Sequence, residues 1–183
     1  STDVRYRRAS ALGGPYTSYR WWINRSTSRT AALAAVPGYR YCFSSRARNE
    51  AGAQSAWSEE KCTTVPFDDR QLTARGDWVR VSREGFLRGT ASRTTDQWAS
   101  LSTAPGYVRE VGVIASTGPN GGRVAVLVGS QRIGTISLVS ATARDRTLLM
   151  LPRLATGKYG SVRLVVLTSG KTAPIDALAT SAR

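Results

Sequence analysis

Alternation of apolar and polar positions predicts that this chain is built from β-strands. The stretch from Gly38 to Pro66 shows the alternation most clearly, because its first ten residues have the period of two that is typical of a half-buried strand. One predicted face carries Tyr41, Phe43, Ser45 and Ala47, and the other carries Cys42, Ser44, Arg46 and Arg48. The turn residues of 49–54 follow, and 55–64 is predicted to return as the second strand of a hairpin.

Three further strands are predicted before this hairpin. Residues 3–9 alternate, residues 16–26 form a second aromatic-rich strand, and residues 30–36 are a short apolar run closed by Pro37 and Gly38. Residues 11–15, with two glycines and a proline, are predicted to be a loop.

After residue 65 the pattern changes twice. Residues 65–73 lack periodicity and are interpreted as a connector, in which Asp68 and Asp69 point in opposite directions and Arg70 offers an ion-pair partner. This arrangement favours a salt-bridged linker over a catalytic carboxylate pair. From residue 76 onward, nine short strands at roughly even spacing, without helical periodicity, predict a β-sandwich or jelly roll.

The composition is that of a globular protein with a large positive charge. Of 183 residues 41% are hydrophobic, and the formal net charge is +14. Such a charge is compatible with acidic partners, including an anionic cell-wall polymer. Nearly all of it is arginine spread along the chain, however, which favours diffuse surface charge over a dedicated anion site. No stretch is long and apolar enough to predict a membrane span.

The absence of histidine and the presence of only two cysteines exclude most site chemistry. Without histidine there is no Ser-His-Asp or Cys-His arrangement and no histidine metal ligand. The twelve carboxylates are scattered, so we expect no enzyme activity, no cofactor and no metal site. Two cysteines are accounted for more simply by a disulfide in an oxidising compartment than by a zinc site, which would need carboxylate ligands.

The sequence YRYCFSSRARNEAG followed by SAWSE resembles the last two strands of a fibronectin type III domain. The resemblance covers about residues 3–65 and implies that Tyr41 forms a tyrosine corner, its hydroxyl bonded to the chain upstream. It implies an outward-facing disulfide between Cys42 and Cys62 on adjacent strands. In related modules a tryptophan stacks on arginines of the preceding strand, which implies a cation–π stack of Trp57 with Arg46 and Arg48 rather than a ligand platform.

That family has seven strands, and the segment that would supply its first strands does not precede residue 3. We therefore expect an upstream segment or a protein partner to complete the N-terminal sheet, because an open sheet edge aggregates.

The second half resembles the C-terminal β-sandwich that follows a fibronectin type III domain in secreted or surface proteins of actinobacteria, a family similar in outline to carbohydrate-binding jelly rolls. Four stretches carry the resemblance: P-x-D-D-R-x-L at 66–72, G-x-W at 76–78, G-F-x-x-G-T at 85–90 and S-G-K…I-D-A-L at 169–178. The predicted fold class is all-β, an incomplete fibronectin type III sandwich followed by a jelly-roll-like β-sandwich. The predicted organisation is a first domain over 1–65, a linker over 66–73 and a second domain over 74–183.

Exposed aromatic residues are the leading candidates for a binding site, because sugar rings stack on flat side chains. Trp98 stands where the resembling family has a small residue, with Arg93, Asp96 and Gln97 close in sequence, and Tyr107 is a further candidate. The alternative for Trp98 is that it caps the sandwich core.

The leading hypothesis is a non-catalytic extracellular module, secreted or on the cell surface, in which a stalk displays a head that binds glycan or cell-wall polymer. The alternative is a structural or assembly part of a surface appendage or phage tail. Nucleic-acid binding is disfavoured because a disulfide and an extracellular type of fold argue for another compartment.

Overall fold

The computed structural model describes residues 1–182 and consists of antiparallel β-strands with two short 3-10 turns, so the predicted all-β class is confirmed. The N-terminal strands are β1 (Thr2–Ser10), β2 (Arg20–Ser26), β3 (Tyr39–Ala47) and β4 (Lys61–Thr64). The C-terminal strands are β5 (Phe67–Asp68), β6 (Thr73–Arg75), β7 (Val79–Ser82), β8 (Thr90–Thr94), β9 (Ser100–Val108), β10 (Glu110–Thr117), β11 (Arg123–Val128), β12 (Gln131–Ser137), β13 (Arg144–Met150), β14 (Lys158–Val166) and β15 (Ala173–Ser181).

The four N-terminal strands form one sheet in the order β2-β1-β3-β4. Tyr41 lies at its centre and is buried, and its hydroxyl accepts hydrogen bonds from the Val36 backbone N–H (2.9 Å) and from Arg8 Nη1 (3.2 Å). The bond to Val36, five residues upstream, is the contact expected of a tyrosine corner.

Residues 30–36 do not form the predicted strand. The segment lies beside the N-terminal sheet without pairing to a strand, and apart from half-buried Leu33 and Ala35 its residues are exposed. The returning strand of the hairpin is regular only over Lys61–Thr64, while Ser55 N and Ser58 N still donate to the β3 carbonyls of Ala47 and Ser45. An apolar run forms a strand only where another strand offers backbone partners, and residues 30–36 have none among residues 1–182.

Two sheets make up the C-terminal sandwich. One has the order β13-β10-β15-β8-β7, with β5 also paired to β15, and the other has the order β12-β11-β14-β9-β6. Side chains that alternate along the strands fill the space between them, including fully buried Val113, Val126, Leu164, Ile175 and Leu178.

The segment predicted to be a connector lies largely within this sandwich. Phe67 and Asp68 pair with Leu178 and Ala177 of β15. Asp68 is ion-paired with Arg70 as predicted, and both Asp68 and Asp69 are buried. These residues join the sheet that contains β15 because strand pairing and the bonds of the two aspartates satisfy polar groups that a free linker would leave to water.

The N-terminal sheet is joined to the sandwich by the loop that follows β1. Leu12 of this loop belongs to the sandwich core, and its carbonyl accepts a hydrogen bond from Tyr107 N at 2.7 Å. Gly106 allows this approach, since a Cβ at that position would lie 2.3 Å from the Leu12 Cβ. The loop predicted from the glycines and proline of 11–15 therefore also carries a core residue.

Candidate functional site

A cleft of about 300 Å³ opens at the end of the sandwich remote from the N-terminal sheet. Loops that follow β7 and β10 and precede β13 and β15 surround it, and we call it the loop-end cleft. Its lining includes Arg83, Phe86, Arg93, Asn120, Asp145 and Pro174. Loops at the end of a sandwich tolerate varied side chains, so this is a position where a β-scaffold can carry a binding site.

One wall of the loop-end cleft is a fixed polar group. Asp145 accepts a hydrogen bond from Ser116 Oγ (2.7 Å) and one from Arg83 Nη1 (2.9 Å). These two bonds lower the pKa of the Asp145 carboxyl, and the bond from Ser116 has the larger effect. Asn120 lies on another wall, and its Oδ1 accepts a hydrogen bond from Lys171 Nζ at 3.1 Å. These groups offer both donors and acceptors to a polyhydroxylated ligand.

Of the five ligand residues predicted from the sequence, only Arg93 lines the loop-end cleft. Asp96, Gln97 and Trp98 form the adjacent turn between β8 and β9, where Gln97 Nε2 donates to the carbonyl of Leu167 at 2.9 Å. Asp96 is exposed, and its backbone N–H donates to Thr94 Oγ1 at 3.1 Å.

The Trp98 side chain projects into solvent at this end of the sandwich. Its indole is 67% exposed, so it does not cap the core. The Trp98 backbone has φ of 71°, a left-handed conformation that is strained for a bulky residue, and its N–H donates to the carbonyl of Val166 at 2.8 Å. Backbone strain at an exposed residue motivates a functional hypothesis, although Arg25, Arg88 and Arg146 have a similar φ.

Tyr107 lies at the opposite end of the sandwich from Trp98. From Ser100 to Tyr107 strand β9 extends over roughly 23 Å at 3.3 Å per residue. Tyr107 pairs across the sheet with Tyr159, their ring centroids 5.1 Å apart in an edge-to-face arrangement, and both rings are more than half exposed. The structure thus divides the predicted set between two separate places.

The N-terminal sheet carries a stack of arginines and aromatic rings on one face. The guanidinium of Arg46 lies 4.7 Å from the Trp57 ring centroid, and that of Arg5 lies 4.1 Å from the same ring. Trp21 meets Trp57 edge to face at 5.6 Å. The ring of half-buried Trp57 is therefore in contact with Arg5, Arg46 and Trp21 of its own sheet, which favours a structural role over a ligand platform.

Arg48 does not join this stack as the resemblance implies, but binds Asp3 instead. Asp3 is fully buried and accepts hydrogen bonds from Arg25 N (2.9 Å), Arg46 Nε (2.8 Å) and Arg48 Nη2 (2.9 Å). The Arg25 bond, with the bonds from both guanidinium groups, lowers the pKa of Asp3 to about 2. A buried carboxylate needs such partners, and this need draws Arg48 away from the ring.

The disulfide between Cys42 and Cys62 is confirmed, with the two residues directly opposite each other on β3 and β4. Cys62 is exposed as predicted, whereas Cys42 is buried because Tyr16 packs over it, the Tyr16 hydroxyl 3.3 Å from Cys42 Sγ. Among residues 1–182 these two cysteines and Glu60 are the only group of acidic and sulfur ligands close enough to hold a metal ion. Since both sulfurs are in the disulfide, neither is available as a thiolate ligand.

Asp176 is a buried carboxylate in the middle of β15. It is fully buried, and both of its oxygens accept the backbone N–H of Leu87 (2.9 and 3.0 Å). Burial raises the pKa of Asp176 to about 6, and the nearby carboxylates Asp69 and Asp68 add to the rise. The Asp69 carboxylate accepts hydrogen bonds from the side chains of Arg80, Thr90 and Ser92. Asp176 has no ion pair among residues 1–182, so burial favours its neutral form up to about pH 6.

We expect this carboxyl to give the protein a stability that falls as pH rises. In the folded state Asp176 stays protonated at pH values above the ordinary carboxyl pKa of 3.8, whereas in the unfolded state it does not. The resulting stabilisation is complete below about pH 4 and is lost as the pH rises through about 6. The difference in free energy of unfolding between wild type and Asp176→Asn should therefore decrease by about 1–3 kcal/mol across that window. Denaturant unfolding at several pH values measures it.

Exposed Asp96→Asn is the matched control for this experiment, because it makes the same substitution at a carboxyl in contact with solvent. Comparing the pH dependence of the two variants removes any constant effect of the asparagine amide on folding. A difference between wild type and Asp176→Asn that does not change with pH would contradict the raised pKa.

Sequence reasoning missed several residues that the structure places in these sites. Asp145 and Asn120 lie in predicted loops and carry no motif, so only the convergence of loops brings them together. Arg5 could have been found, since it alternates with the inward residues of β1 and faces the side on which Arg46 lies. Asp176 is a lone charge within an apolar run, which is a usable signal of a buried carboxyl.

No model of a protein family matches the chain, and no curated protein sequence matches it. Solved structures with a similar fold include a CBM6 module from Clostridium stercorarium in complex with cellobiose (17% identity, 64% of this chain and 92% of that chain, TM-score 0.49). Another is the CBM36-1 domain of a multidomain xylanase from the hindgut metagenome of Trinervitermes trinervoides (16% identity, 62% and 93%, TM-score 0.47). A third is a family 43 arabinoxylan arabinofuranohydrolase from Bacillus subtilis in complex with cellotetraose (13% identity, 80% and 35%, TM-score 0.48).

These neighbours are carbohydrate-binding modules and a carbohydrate-active enzyme, and none is similar enough for a residue role to be carried across. Any function of this chain therefore rests on its own side chains. Within residues 1–182 no helix has the length and apolar character needed to cross a membrane.

Proposed function

We propose that this chain is a non-catalytic glycan-binding module, secreted or displayed at the cell surface, that binds its ligand at the loop end of the C-terminal sandwich. The observation that carries the proposal is the exposed indole of Trp98, on a turn with a left-handed backbone at the same end of the sandwich as the loop-end cleft. An exposed flat ring stacks on a sugar ring, and the cleft supplies donors and acceptors for the sugar hydroxyl groups.

In this proposal the chain has two domains with different tasks. The N-terminal domain, over about residues 1–65, is a fibronectin type III-like stalk, supported by the strand order β2-β1-β3-β4 and by the bond from Val36 N to the Tyr41 hydroxyl. The C-terminal domain is the binding head. The disulfide supports an extracellular location, since such bridges persist in oxidising compartments.

Trp98→Ala is expected to weaken binding of neutral oligosaccharides by about 10- to 100-fold without lowering the melting temperature, because the ring contacts solvent rather than the core. A glycan array identifies the ligand, and isothermal titration measures the affinity. Trp21→Phe, at an exposed tryptophan of the N-terminal sheet, is the control and should bind as wild type. Equal binding by Trp98→Ala, or binding that disappears with added salt, would show diffuse charge instead of a stacking site.

An alternative is that the chain is an assembly element of a surface appendage or phage tail. Its specific support is a cleft of about 720 Å³ between segment 27–31 and the strands β1 and β2, lined by Val4, Trp22 and Ile23. A strand from an upstream segment or from a protein partner would fill this cleft and complete the N-terminal sheet. Light scattering discriminates the two functions, because a monodisperse monomer over a wide concentration range argues against self-assembly.

A further inference from the structure

A second cleft lies at the junction between the N-terminal sheet and the sandwich, at the end opposite the loop-end cleft. It has a volume of about 220 Å³, and we call it the junction cleft. Its walls come from both parts of the chain, including Gly13, Gly14, Tyr16 and Arg40 on one side and Tyr107 and Gly157 on the other. This volume is below the roughly 300–1,000 Å³ of sites for drug-sized ligands, so it suits one ring of a larger ligand.

Arg40 gives the junction cleft an uncompensated cation. Its Nη1 donates to Ser181 Oγ at 3.0 Å, but its Nε is shielded from water and has no hydrogen-bond partner in the described part of the chain. No carboxylate of residues 1–182 forms an ion pair with Arg40. A half-buried guanidinium without a carboxylate partner is stabilised by an anion, since desolvation of an unpaired charge costs free energy.

Two other arginines have a shielded Nε without a partner, and both differ from Arg40. Arg48 is ion-paired with Asp3 through its Nη2. Arg5 lies over the rings of Tyr19 and Trp57, at 3.9 and 4.1 Å from their centroids. Arg40 is thus the one of the three whose charge is matched neither by a carboxylate nor by an aromatic face within residues 1–182.

The surroundings of the junction cleft favour a negative ligand. Arg109, on the same end of the sandwich, uses its guanidinium donors on the carbonyls of Leu154 and Ala155 and forms no ion pair within residues 1–182. The nearby acid Glu110 is paired with Arg153 at 3.3 Å. The local field is therefore positive, and the chain as a whole carries +14.

Tyr107 supplies the second recognition element. Its ring is 59% exposed and borders the junction cleft, and its backbone N–H is tied to the Leu12 carbonyl, so its position relative to Gly13 is fixed. Tyr159 meets it edge to face and extends the aromatic surface along the sheet. At Gly14, φ is +118° and a Cβ would meet no atom within 4 Å, so the opposite wall is bare backbone beside open space.

We propose that the junction cleft binds a carboxylate-bearing sugar residue, with Arg40 pairing the carboxylate and Tyr107 stacking on the ring. The class of ligand follows from the two elements together. A cation without a partner selects an acid, and an adjacent exposed phenol ring selects a cyclic, hydroxylated one. The site is separate from the loop-end cleft, so an acidic polysaccharide could contact both ends of the head.

The test compares trigalacturonic acid with its methyl ester, which keeps the rings and removes the charges. Isothermal titration of the full chain should show binding of the acid and at least about tenfold weaker binding of the ester. Arg40→Gln should lower affinity for the acid by about tenfold or more, and Tyr107→Ala should do the same while Tyr107→Phe binds as wild type. Amide resonances of Gly13, Gly14 and Gly157 should shift on titration with the acid.

Two controls distinguish the junction cleft from diffuse surface charge and from the loop-end cleft. Arg123→Gln removes an exposed arginine of β11 and should leave the affinity unchanged, and Trp98→Ala should keep acid binding even if it loses neutral glycans. The proposal is overturned if acid and ester bind equally, if Arg123→Gln weakens binding as much as Arg40→Gln, or if no binding of the acid is measured at millimolar concentration. Tyr107→Ala keeps the test valid should Arg40→Gln fail to fold, because the Tyr107 ring is exposed.

Discussion

Leu12→Ala is expected to lower the free energy of unfolding by about 2–4 kcal/mol and to loosen the N-terminal sheet from the sandwich. Leu12 is a loop residue by position but a core residue by contact, being 9% exposed and part of the same cluster as Leu101 and Val108. Removing its side chain leaves a cavity at the place where the two parts of the chain meet. The links that remain are polar, among them the hydrogen bonds from Tyr107 N to the Leu12 carbonyl and from Arg40 Nη1 to Ser181 Oγ.

Denaturant unfolding followed by tryptophan fluorescence measures this effect. Leu148→Ala is the matched control, because Leu148 is 55% exposed on β13 and its loss should change the free energy of unfolding by less than about 0.5 kcal/mol. Since the tryptophans lie in both parts of the chain, loosening should also split one transition into two. A Leu12→Ala variant as stable as Leu148→Ala would show that the junction is not packed in solution.

Removal of the Cys42–Cys62 disulfide is the second change with a large expected effect. The bridge closes a loop with a sequence separation of 20 residues, so in the chain-entropy model its loss costs about 3 kcal/mol. The N-terminal sheet is a single layer of four strands and has little core of its own, so we expect it to unfold before the sandwich once the bridge is absent.

The double variant Cys42→Ala, Cys62→Ala tests this expectation together with the reduced wild-type protein. In both, the first part of the unfolding transition should move to lower denaturant, and thiol titration of the wild type should find free thiols only after reduction. If two thiols react in the untreated protein, the bridge does not form in solution. If reduction leaves the transition in place, the bridge does not contribute to stability.

The strand content, and the loss of periodicity between the two strand-rich parts of the chain, follow from local sequence. Period-two alternation locates β1, β3, β10 and β11 close to their observed bounds, because burial of one strand face requires that pattern whatever the neighbours are. The failure at residues 30–36 has the opposite cause. That run has strand composition, but pairing depends on a neighbouring strand, which composition does not specify.

The candidate sites are less accessible to sequence reasoning. The sequence left open whether Trp98 is exposed or caps the core, and its context gave no sign that Tyr107, predicted with it, lies at the other end of β9. Distance along the chain does not indicate which end of a sandwich a residue occupies, because each strand reverses direction. Arg40 gives no signal at all, since an arginine near a strand start is ordinary and only the junction shields its Nε.

The sequence by itself determined an all-β chain without histidine, with one disulfide pair and a basic surface, since these follow from composition and from the period of apolar residues. Only the tertiary structure decided that Leu12 belongs to the sandwich core, that Arg48 pairs with Asp3 and that Arg40 and Tyr107 line one cleft. The physical reason is the range of the interactions. Strand periodicity is local, whereas burial, ion pairing and clefts depend on residues brought together from distant parts of the chain.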